Sequence, residues 1–120
     1  MKIRLISTAA SVAALLGMFA SPVVSAASHS EMIAQGKKIA FNRKLGNCLA
    51  CHVIADGKGP GNIGPPLIAM KARYPDKSAL RAQIWNASAK NPATYMPPFG
   101  RHHVLTEKQI DMVAEFIYSL

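Results

Sequence analysis

Cys48-Leu49-Ala50-Cys51-His52 contains both cysteines of this 120-residue chain and one of its four histidines. Two cysteines are too few for the disulfide framework of a small secreted protein, and a zinc site made of cysteines alone needs four. A spacing of three residues places both thiols on one side of a helical turn, and the imidazole follows directly behind them. The chemistry-bearing groups are therefore concentrated in one short segment, and the rest of the fold has to be arranged around it.

The spacing Cys-x-x-Cys-His is typical of covalent haem attachment. Each thiol can add to one vinyl group of the porphyrin, and His52 can bind the iron as the proximal ligand. A mixed zinc site is the first alternative, but His102 and His103 lack the separation of three to five residues between paired histidines. A thioredoxin-like dithiol expects a βαβ pattern, and a plain disulfide would leave His52 without a role. The segment predicts one haem c, with Cys48 and Cys51 as the thioether residues.

Residues 1–26 have the organisation of a secretory signal peptide. Lys2 and Arg4 precede an uncharged apolar run, and Val24-Ser25-Ala26 offers small residues at a cleavage site. The apolar run is shorter than the ~20 residues that span a bilayer, so a membrane helix is disfavoured. We expect cleavage after Ala26, which leaves a cytochrome-sized domain over residues 27–120, exported to the periplasm and without a membrane span.

The composition excludes several classes of protein. Half of the residues are hydrophobic, which excludes wholesale disorder. The chain has 14 Lys and Arg against 6 Asp and Glu, a formal charge of +8; removal of the two basic residues of the signal leaves +6. An exported chain without a basic, aromatic-interleaved stripe is not expected to bind nucleic acid. Docking to an acidic protein and simple solubility both remain open as reasons for the charge.

Three segments have helical periodicity, and none has the clear alternation of a strand. The first begins near Ser28, the second covers residues 76–87, and the third begins at Thr106 and continues to the chain end. The first and third starts carry a capping box, a Ser or Thr followed three residues later by Glu or Gln. Gly36 in the first segment predicts the close approach of another helix.

Two long connections are rich in glycine and proline. Residues 53–69 and 88–105 are unlikely to form regular structure, and loops of this length in a small domain suggest that they wrap a bound group. The sequence therefore predicts an all-α, cytochrome c-like fold, in which three or more helices and long Gly/Pro loops surround one covalently attached haem.

The second axial ligand of the iron is predicted to be Met96. Two prolines follow Met96, and they favour an extended, stiff segment that can hold a thioether against iron without a helix behind it. Met70, His102 and His103 are the competing ligands. Histidine and methionine together raise the reduction potential and leave no vacant position for a substrate. The site is thus predicted to relay single electrons, and no catalytic residue is expected in this chain.

Residues around the ligands are predicted from the same segments. His52 should donate its other ring N–H to a backbone carbonyl, for which Pro65 is the best candidate. Trp85, Tyr95 and Arg81 could contact the acidic groups of the porphyrin, although ordinary packing or solvation is the simpler role for each.

The order of these motifs resembles that of class I cytochromes c. More narrowly, it resembles the SoxX family, the monohaem subunits of SoxAX complexes in periplasmic thiosulfate oxidation. The resemblance covers nearly all of residues 31–120. The matching segments are Gly46-Asn47-Cys48-x-Ala50-Cys51-His52, Pro60-Gly61-Asn62-Ile63-Gly64-Pro65-Pro66-Leu67, Arg73-Tyr74-Pro75, Asn91-Pro92, Met96-Pro97-Pro98-Phe99-Gly100 and Leu105-Thr106-x-x-Gln109-Ile110.

The resemblance implies a heterodimer with a SoxA-like subunit. In such complexes thiosulfate is oxidatively joined to a cysteine of the SoxYZ carrier, and the electrons pass to a small cytochrome c. The resemblance assigns haem attachment to Cys48 and Cys51 and axial ligation to His52 and Met96. The chain would then be a non-catalytic subunit of an L-cysteine S-thiosulfotransferase. A free-standing respiratory carrier, and a small-ligand sensor or peroxidase with a labile Met96, remain as alternatives.

Overall fold

The computed structural model describes residues 24–120, with side chains from residue 28 onward. The signal peptide predicted for residues 1–26 lies outside the described residues, apart from its last three. Four α-helices occur in order: α1 Val24–Phe41, α2 Met70–Arg73, α3 Lys77–Trp85 and α4 Glu107–Tyr118. Two 3₁₀ turns, Cys48–Ala50 and Ala87–Ala89, complete the regular structure of this part of the chain, which contains no strand. The all-α class predicted from the sequence is confirmed.

The predicted start of the first helix is wrong. Helix α1 begins at Val24 and continues through Ser28, so Ser28 does not cap it. The residues that precede Ser28 are small and include two alanines, the best helix formers, and they extend the helix upstream. Within residues 24–120 no helix is both long enough and apolar enough to cross a bilayer.

The starts of α3 and α4 are confirmed. The Asp76 carboxylate accepts a hydrogen bond from the Ser78 backbone N–H at 2.8 Å, which caps α3. At α4, the Gln109 backbone N–H donates to Thr106 Oγ1 at 3.2 Å, while the Thr106 N–H donates to Gln109 Oε1 at 2.9 Å. Each cap satisfies backbone donors that a helix start leaves without an intrahelical partner.

Helices α1 and α4 cross at Gly36, as predicted. Gly36 is buried, and a Cβ at this position would overlap the carbonyl group of Met112. Near the crossing, the rings of Phe41 and Phe116 pack edge to face with centroids 5.9 Å apart. The first and last helices of the domain are therefore in direct backbone contact.

The hydrophobic core lies between α4, α1 and α3, and α4 supplies much of it. Its buried residues on α4 are Ile110, Val113, Ala114, Phe116 and Ile117. Leu80 and Ile84 of α3 face the same core. Helix α3 is tied to α4 by charge as well, since Arg81 Nε donates to Asp111 Oδ1 at 2.6 Å.

Helix α2 was not predicted. It is four residues long, and it follows Ala69, whose φ of 50° lies in the left-handed region. Residues 53–69 contain no helix, as predicted, whereas the second loop begins with a 3₁₀ turn that extends over its first two residues. Both loops lie on the side of the core that carries the cysteine segment.

Candidate haem site

The Cys48–His52 segment forms a tight turn a few residues after the end of helix α1. Asn47 adopts a left-handed backbone with φ 47°, which a short polar residue tolerates better than most. The 3₁₀ turn follows, and the His52 backbone N–H donates to the Cys48 carbonyl at 2.9 Å. The turn brings the Cys48 and Cys51 thiols and the His52 ring to the wall of the same cavity.

Burial of Cys48 gives its thiol an unusual environment. Removal from water raises the pKa of Cys48 to about 11, so the group is a neutral thiol at physiological pH. Among residues 28–120 no three His, Cys, Asp or Glu side chains converge on a possible metal position. The donor set therefore does not suit a mixed zinc site.

The His52 ring is oriented by Pro65. Ring nitrogen Nδ1 lies 2.7 Å from the Pro65 carbonyl oxygen, so Nδ1–H is the donor and Nε2 is left unprotonated as a possible iron ligand. Gly64 lies against the same ring, and a Cβ there would come within 2.6 Å of Nδ1. Only a glycine allows the loop to pass this close to the imidazole.

The first Gly/Pro loop runs along the cysteine segment and is hydrogen-bonded to it. The Gly61 N–H donates to the Leu49 carbonyl at 2.8 Å, and the Gly64 N–H donates to the Cys51 carbonyl at 2.8 Å. These bonds fix the position of the Pro65 carbonyl relative to His52. The loop has no regular secondary structure, but these hydrogen bonds hold it against the cysteine segment.

A cavity of about 810 Å³ lies between the cysteine segment, the two loops and the helices. Its volume is in the range of sites for cofactors and other small molecules, about 300–1,000 Å³. The apolar lining residues include Leu45, Leu67, Leu80, Ile84, Phe99, Leu105, Val113 and Ile117. A large apolar cavity with two thiols and an imidazole on its wall fits a haem.

Met96 lines this cavity together with the cysteine segment. It is half-buried, and its backbone N–H donates to Thr94 Oγ1 at 3.1 Å, which fixes the segment just before the two prolines. His102 and His103 are exposed and do not line the cavity. The structure thus brings Met96 and His52 to one cavity and leaves these two histidines outside it.

Met70 also reaches the cavity wall but belongs to the core. It is only 1% exposed, and its sulfur accepts a hydrogen bond from Arg73 Nη1 at 3.5 Å. The same Arg73 nitrogen donates to the Pro66 carbonyl at 2.7 Å, so α2 is fastened to the first loop. Packing explains Met70 without a role in ligation.

The three residues considered for the acidic groups of a porphyrin are placed differently. Arg81 pairs with α4 and stacks over Trp85 at 5.5 Å, and neither residue lines the cavity. Tyr95 does line the cavity and is 87% exposed. Two arginines lie on the cavity wall, Arg43 and Arg73. No sequence signal pointed to Arg43, and Arg73 was marked only as part of the matching segment Arg73-Tyr74-Pro75, without a role at the site.

Residues 31–117 match the family model for cytochrome c oxidase, cbb3-type, subunit III. The chain belongs to this family. As a member of a cytochrome c family it uses haem c as its cofactor, which agrees with the character of the cavity. The predicted cytochrome c-like fold is confirmed.

The cytochrome c domain is also similar to a solved structure, that of SoxXA from P. pantotrophus. The TM-score is 0.65 at 29% sequence identity, over 72% of this chain and 79% of the matched chain. The resemblance to SoxX predicted from the order of the motifs is thereby confirmed. The family and the structural match together support a haem electron-transfer protein.

A curated relative is an uncharacterized lipoprotein of Aquifex aeolicus. The two proteins are 32% identical over 81 residues, which make up 63% of this chain and 37% of the relative. The cytochrome c domain therefore corresponds to little more than a third of that lipoprotein.

Proposed function

We propose that residues 27–120 form the electron-transfer subunit of a SoxAX-type complex and carry one covalent haem. Cys48 and Cys51 hold it through thioether bonds, and His52 and Met96 bind its iron. The observation that carries this proposal is the convergence of these four side chains on one apolar cavity. The similarity to SoxXA supports the type of complex.

A haem c with His and Met ligands exchanges one electron at a raised reduction potential. The residues of the chain prepare the site for that exchange. Pro65 fixes the tautomer and the orientation of His52, and Gly64 lets the loop lie against the ring. Pro97 and Pro98 restrict the backbone next to Met96, so that the sulfur is positioned before it is bound. The apolar lining gives both ligands a largely non-polar surrounding.

The sulfur chemistry is assigned to the partners of the chain. In the proposed complex, a bond forms between thiosulfate and a cysteine thiol of a SoxYZ-type carrier, with release of two electrons and the thiol proton. The SoxA-like subunit is the site of this step. Our chain accepts the electrons one at a time and passes them to a small cytochrome c. Both of its cysteines are used for attachment, so it has no thiol for sulfur intermediates.

Export of the chain is part of the proposal. Covalent haem attachment of this kind takes place outside the bacterial cytoplasm, and the relative from A. aeolicus is a lipoprotein. We propose that residues 1–26 are a signal peptide and that the mature chain works in the periplasm as one half of a heterodimer.

The test uses the purified holoprotein, a SoxA-like subunit from the same genome and a SoxYZ-type carrier. The chain alone is expected to show the spectrum of a low-spin haem with His and Met ligands and to conjugate no thiosulfate. Addition of the other proteins should restore conjugation, measured as the mass increase of the carrier cysteine. Absence of any association with the SoxA-like subunit would contradict the proposal.

A free-standing respiratory carrier is the second candidate, and the match to an oxidase subunit family favours it. Purification from the native host separates the two. A stable SoxA-like partner supports the complex, whereas isolation as a monomer that reduces a terminal oxidase supports the carrier. Rapid binding of carbon monoxide to the reduced protein would instead point to a sensor or peroxidase with a labile Met96.

A further inference from the structure

The positive charge of the domain is concentrated near the cysteine segment. Residues 37–58 carry five of the basic residues, Lys37, Lys38, Arg43, Lys44 and Lys58, and one acidic residue, Asp56. Asp56 is engaged by Lys37 at 3.0 Å. Elsewhere in the domain, Glu107, Asp111 and Glu115 of α4 are paired with basic residues of α3. Residues 37–58 therefore carry most of the net positive charge of the domain.

A second, smaller cavity of about 280 Å³ lies within this positive region. Phe41 and Leu49 give it apolar walls, and Arg43 and Lys58 give it two cations. Among residues 28–120 neither cation takes part in an ion pair. We call this cavity the cation pocket.

The cation pocket adjoins the haem cavity. Arg43, Asn47 and Ala50 line both cavities, so only the turn that carries the cysteines separates them. A group bound in the cation pocket would be within one layer of residues of the haem site. Electron transfer between proteins requires a short distance between the partner and the haem. Solubility alone would not require the pocket to adjoin the haem cavity.

The two loops around the haem cavity carry exposed apolar side chains and contain two uncharged stretches. The large hydrophobic residues exposed among residues 28–120 lie on the two loops around the haem cavity: Val53, Ile63, Ile68, Tyr95 and Val104. Residues 59–70 and 91–100 contain no charged side chain. Apolar surface of this kind suits a permanent subunit contact, while charge complementarity suits a fast and transient one. The permanent partner and the transient partner are thus expected at separate surfaces.

We propose that the cation pocket is the docking site for an acidic one-electron partner protein, one of whose carboxylates enters between Arg43 and Lys58. Arginine binds a carboxylate through two parallel hydrogen bonds, and the apolar walls of the pocket reduce solvent screening of the pair. The surrounding lysines attract an acidic protein over a longer range and raise its association rate. In turnover one electron leaves the reduced chain and reduces the docked partner. This proposal rests on the proposed function as an electron relay.

The experiment uses reduced flavodoxin, a small acidic one-electron protein, as the probe of the surface. Reduction of the oxidised holoprotein is followed by stopped flow over a range of ionic strength. The double variant R43Q/K58Q is compared with R101Q/K108Q, which removes the same charge from exposed positions outside the pocket. We expect R43Q/K58Q to lower the second-order rate constant about tenfold at low salt and to flatten its salt dependence. R101Q/K108Q should change the rate less than about twofold, because neither residue lines the pocket in which the carboxylate is proposed to bind.

Two further measurements complete the test. Arg43 also lines the haem cavity, so each flavodoxin rate is divided by the rate of reduction by free reduced riboflavin, a small molecule that does not need the pocket. This ratio removes any change that the substitutions make at the haem site itself. Equal slowing by the two double variants would mean that only net charge matters, and no slowing would mean that flavodoxin docks elsewhere; either result overturns the proposal. R43Q/K58Q should still bind the SoxA-like subunit. Loss of that binding would place the pocket in the permanent interface and overturn its assignment to a transient partner. Failure of the wild type to bind SoxA would overturn the proposed complex, but it would not affect the result on docking.

Discussion

His52 is positioned by two neighbours that act in different ways. The Pro65 carbonyl accepts a hydrogen bond from Nδ1–H, which fixes the tautomer of the ring, and Gly64 leaves room for the ring. The hydrogen bond was predicted from the sequence because Pro65 is in a stiff segment close to the motif. The steric role of Gly64 depends on the approach of the loop to the ring, and that approach exists only in the folded chain.

Gly64→Ala is expected to displace the His52 ring, since the added Cβ would overlap it. The hydrogen bond to Pro65 should weaken, which makes the imidazole a less basic ligand and raises the reduction potential, or lowers the yield of haem-loaded protein. Gly59→Ala is the matched control. Gly59 has φ 61° but open space around it, so alanine there costs about 1–2 kcal/mol of backbone strain without a collision. Equal spectra and potentials of the two variants would contradict this role of Gly64.

Met96→Ala is expected to open the distal coordination position and to lower the reduction potential, because a thioether favours the reduced iron. The sulfur-to-iron charge-transfer band should disappear from the oxidised spectrum. Met70→Ala should keep that band but lower the free energy of unfolding by about 2–5 kcal/mol, because the side chain is buried. An unchanged oxidised spectrum in Met96→Ala would reassign the ligand, with Met70 as the next candidate.

The crossing of α1 and α4 is the central contact at the level of secondary structure. Gly36 makes it possible, and Phe41 and Phe116 pack beside it. The crossing was predicted from Gly36 alone, because a glycine in a helix with an apolar face leaves room for another helix to approach closely. The identity of the partner helix was not predicted, since the sequence does not show which apolar faces meet.

Gly36→Ala should force the two helices apart, because the obstacle is the Met112 backbone and not a flexible side chain. Overpacking of this kind costs about 1–3 kcal/mol, and a backbone obstacle places it at the upper end. Thermal unfolding followed at the haem absorption band measures the loss. Lys38→Ala, an exposed change on the same helix, should leave stability within about 0.5 kcal/mol. A Gly36→Ala protein as stable as Lys38→Ala would contradict the tight crossing.

The cap of α3 predicts a pH dependence. Hydrogen bonds from the Ser78 hydroxyl and N–H hold the pKa of Asp76 below its ordinary value. A lowered pKa in the folded state stabilises the fold above the ordinary pKa of 3.8, and this contribution is lost as the pH falls through the lower folded value. Asp76→Ala should therefore lower the unfolding temperature at pH 7, and its difference from the wild type should shrink below pH 4.

Asp76→Asn is the control for that titration. The amide oxygen can still cap the helix, so stability at pH 7 should be close to that of the wild type. It has no proton to gain between pH 4 and pH 2. A difference between Asp76→Ala and the wild type that stays constant from pH 7 to pH 2 would show that the carboxylate charge is irrelevant.

Local signals explain which helices were predicted well. The caps at Asp76 and Thr106 are complete within four residues, so the sequence is sufficient to place them. Helix α2 is too short for a periodic pattern, and its start at the left-handed Ala69 depends on the burial of Met70. The start of α1 was misplaced because an apparent cap at Ser28 follows residues that also favour a helix.

At the scale of the whole molecule, the domain has two surfaces of different character around one cavity. The loops present exposed apolar residues, and the segment 37–58 presents Arg43 and Lys58, which form no ion pair within residues 28–120. The total charge and the loops were visible in the sequence. The cation pocket was not, because residues distant in sequence, Arg43 and Lys58, meet only in the folded chain.

The mature protein is expected to consist of residues 27–120 with one haem attached. Mass spectrometry of the exported protein should give the mass of that polypeptide plus one porphyrin. Cys48→Ser with Cys51→Ser should abolish the covalent link while leaving export intact. A colourless exported protein with the mass of the bare polypeptide would contradict both the attachment and the electron relay.

The contact between the first and the last helix also sets an order of events during biogenesis. Helix α4 follows the cysteine segment in the chain, so the crossing at Gly36 cannot form until α4 has also been translocated. Until then the thiols of Cys48 and Cys51, which are half-buried in the folded domain, remain fully accessible to the attachment machinery. The order of the helices in the chain thus leaves time for haem attachment before the domain closes. Packing of α4 onto α1 ends this period.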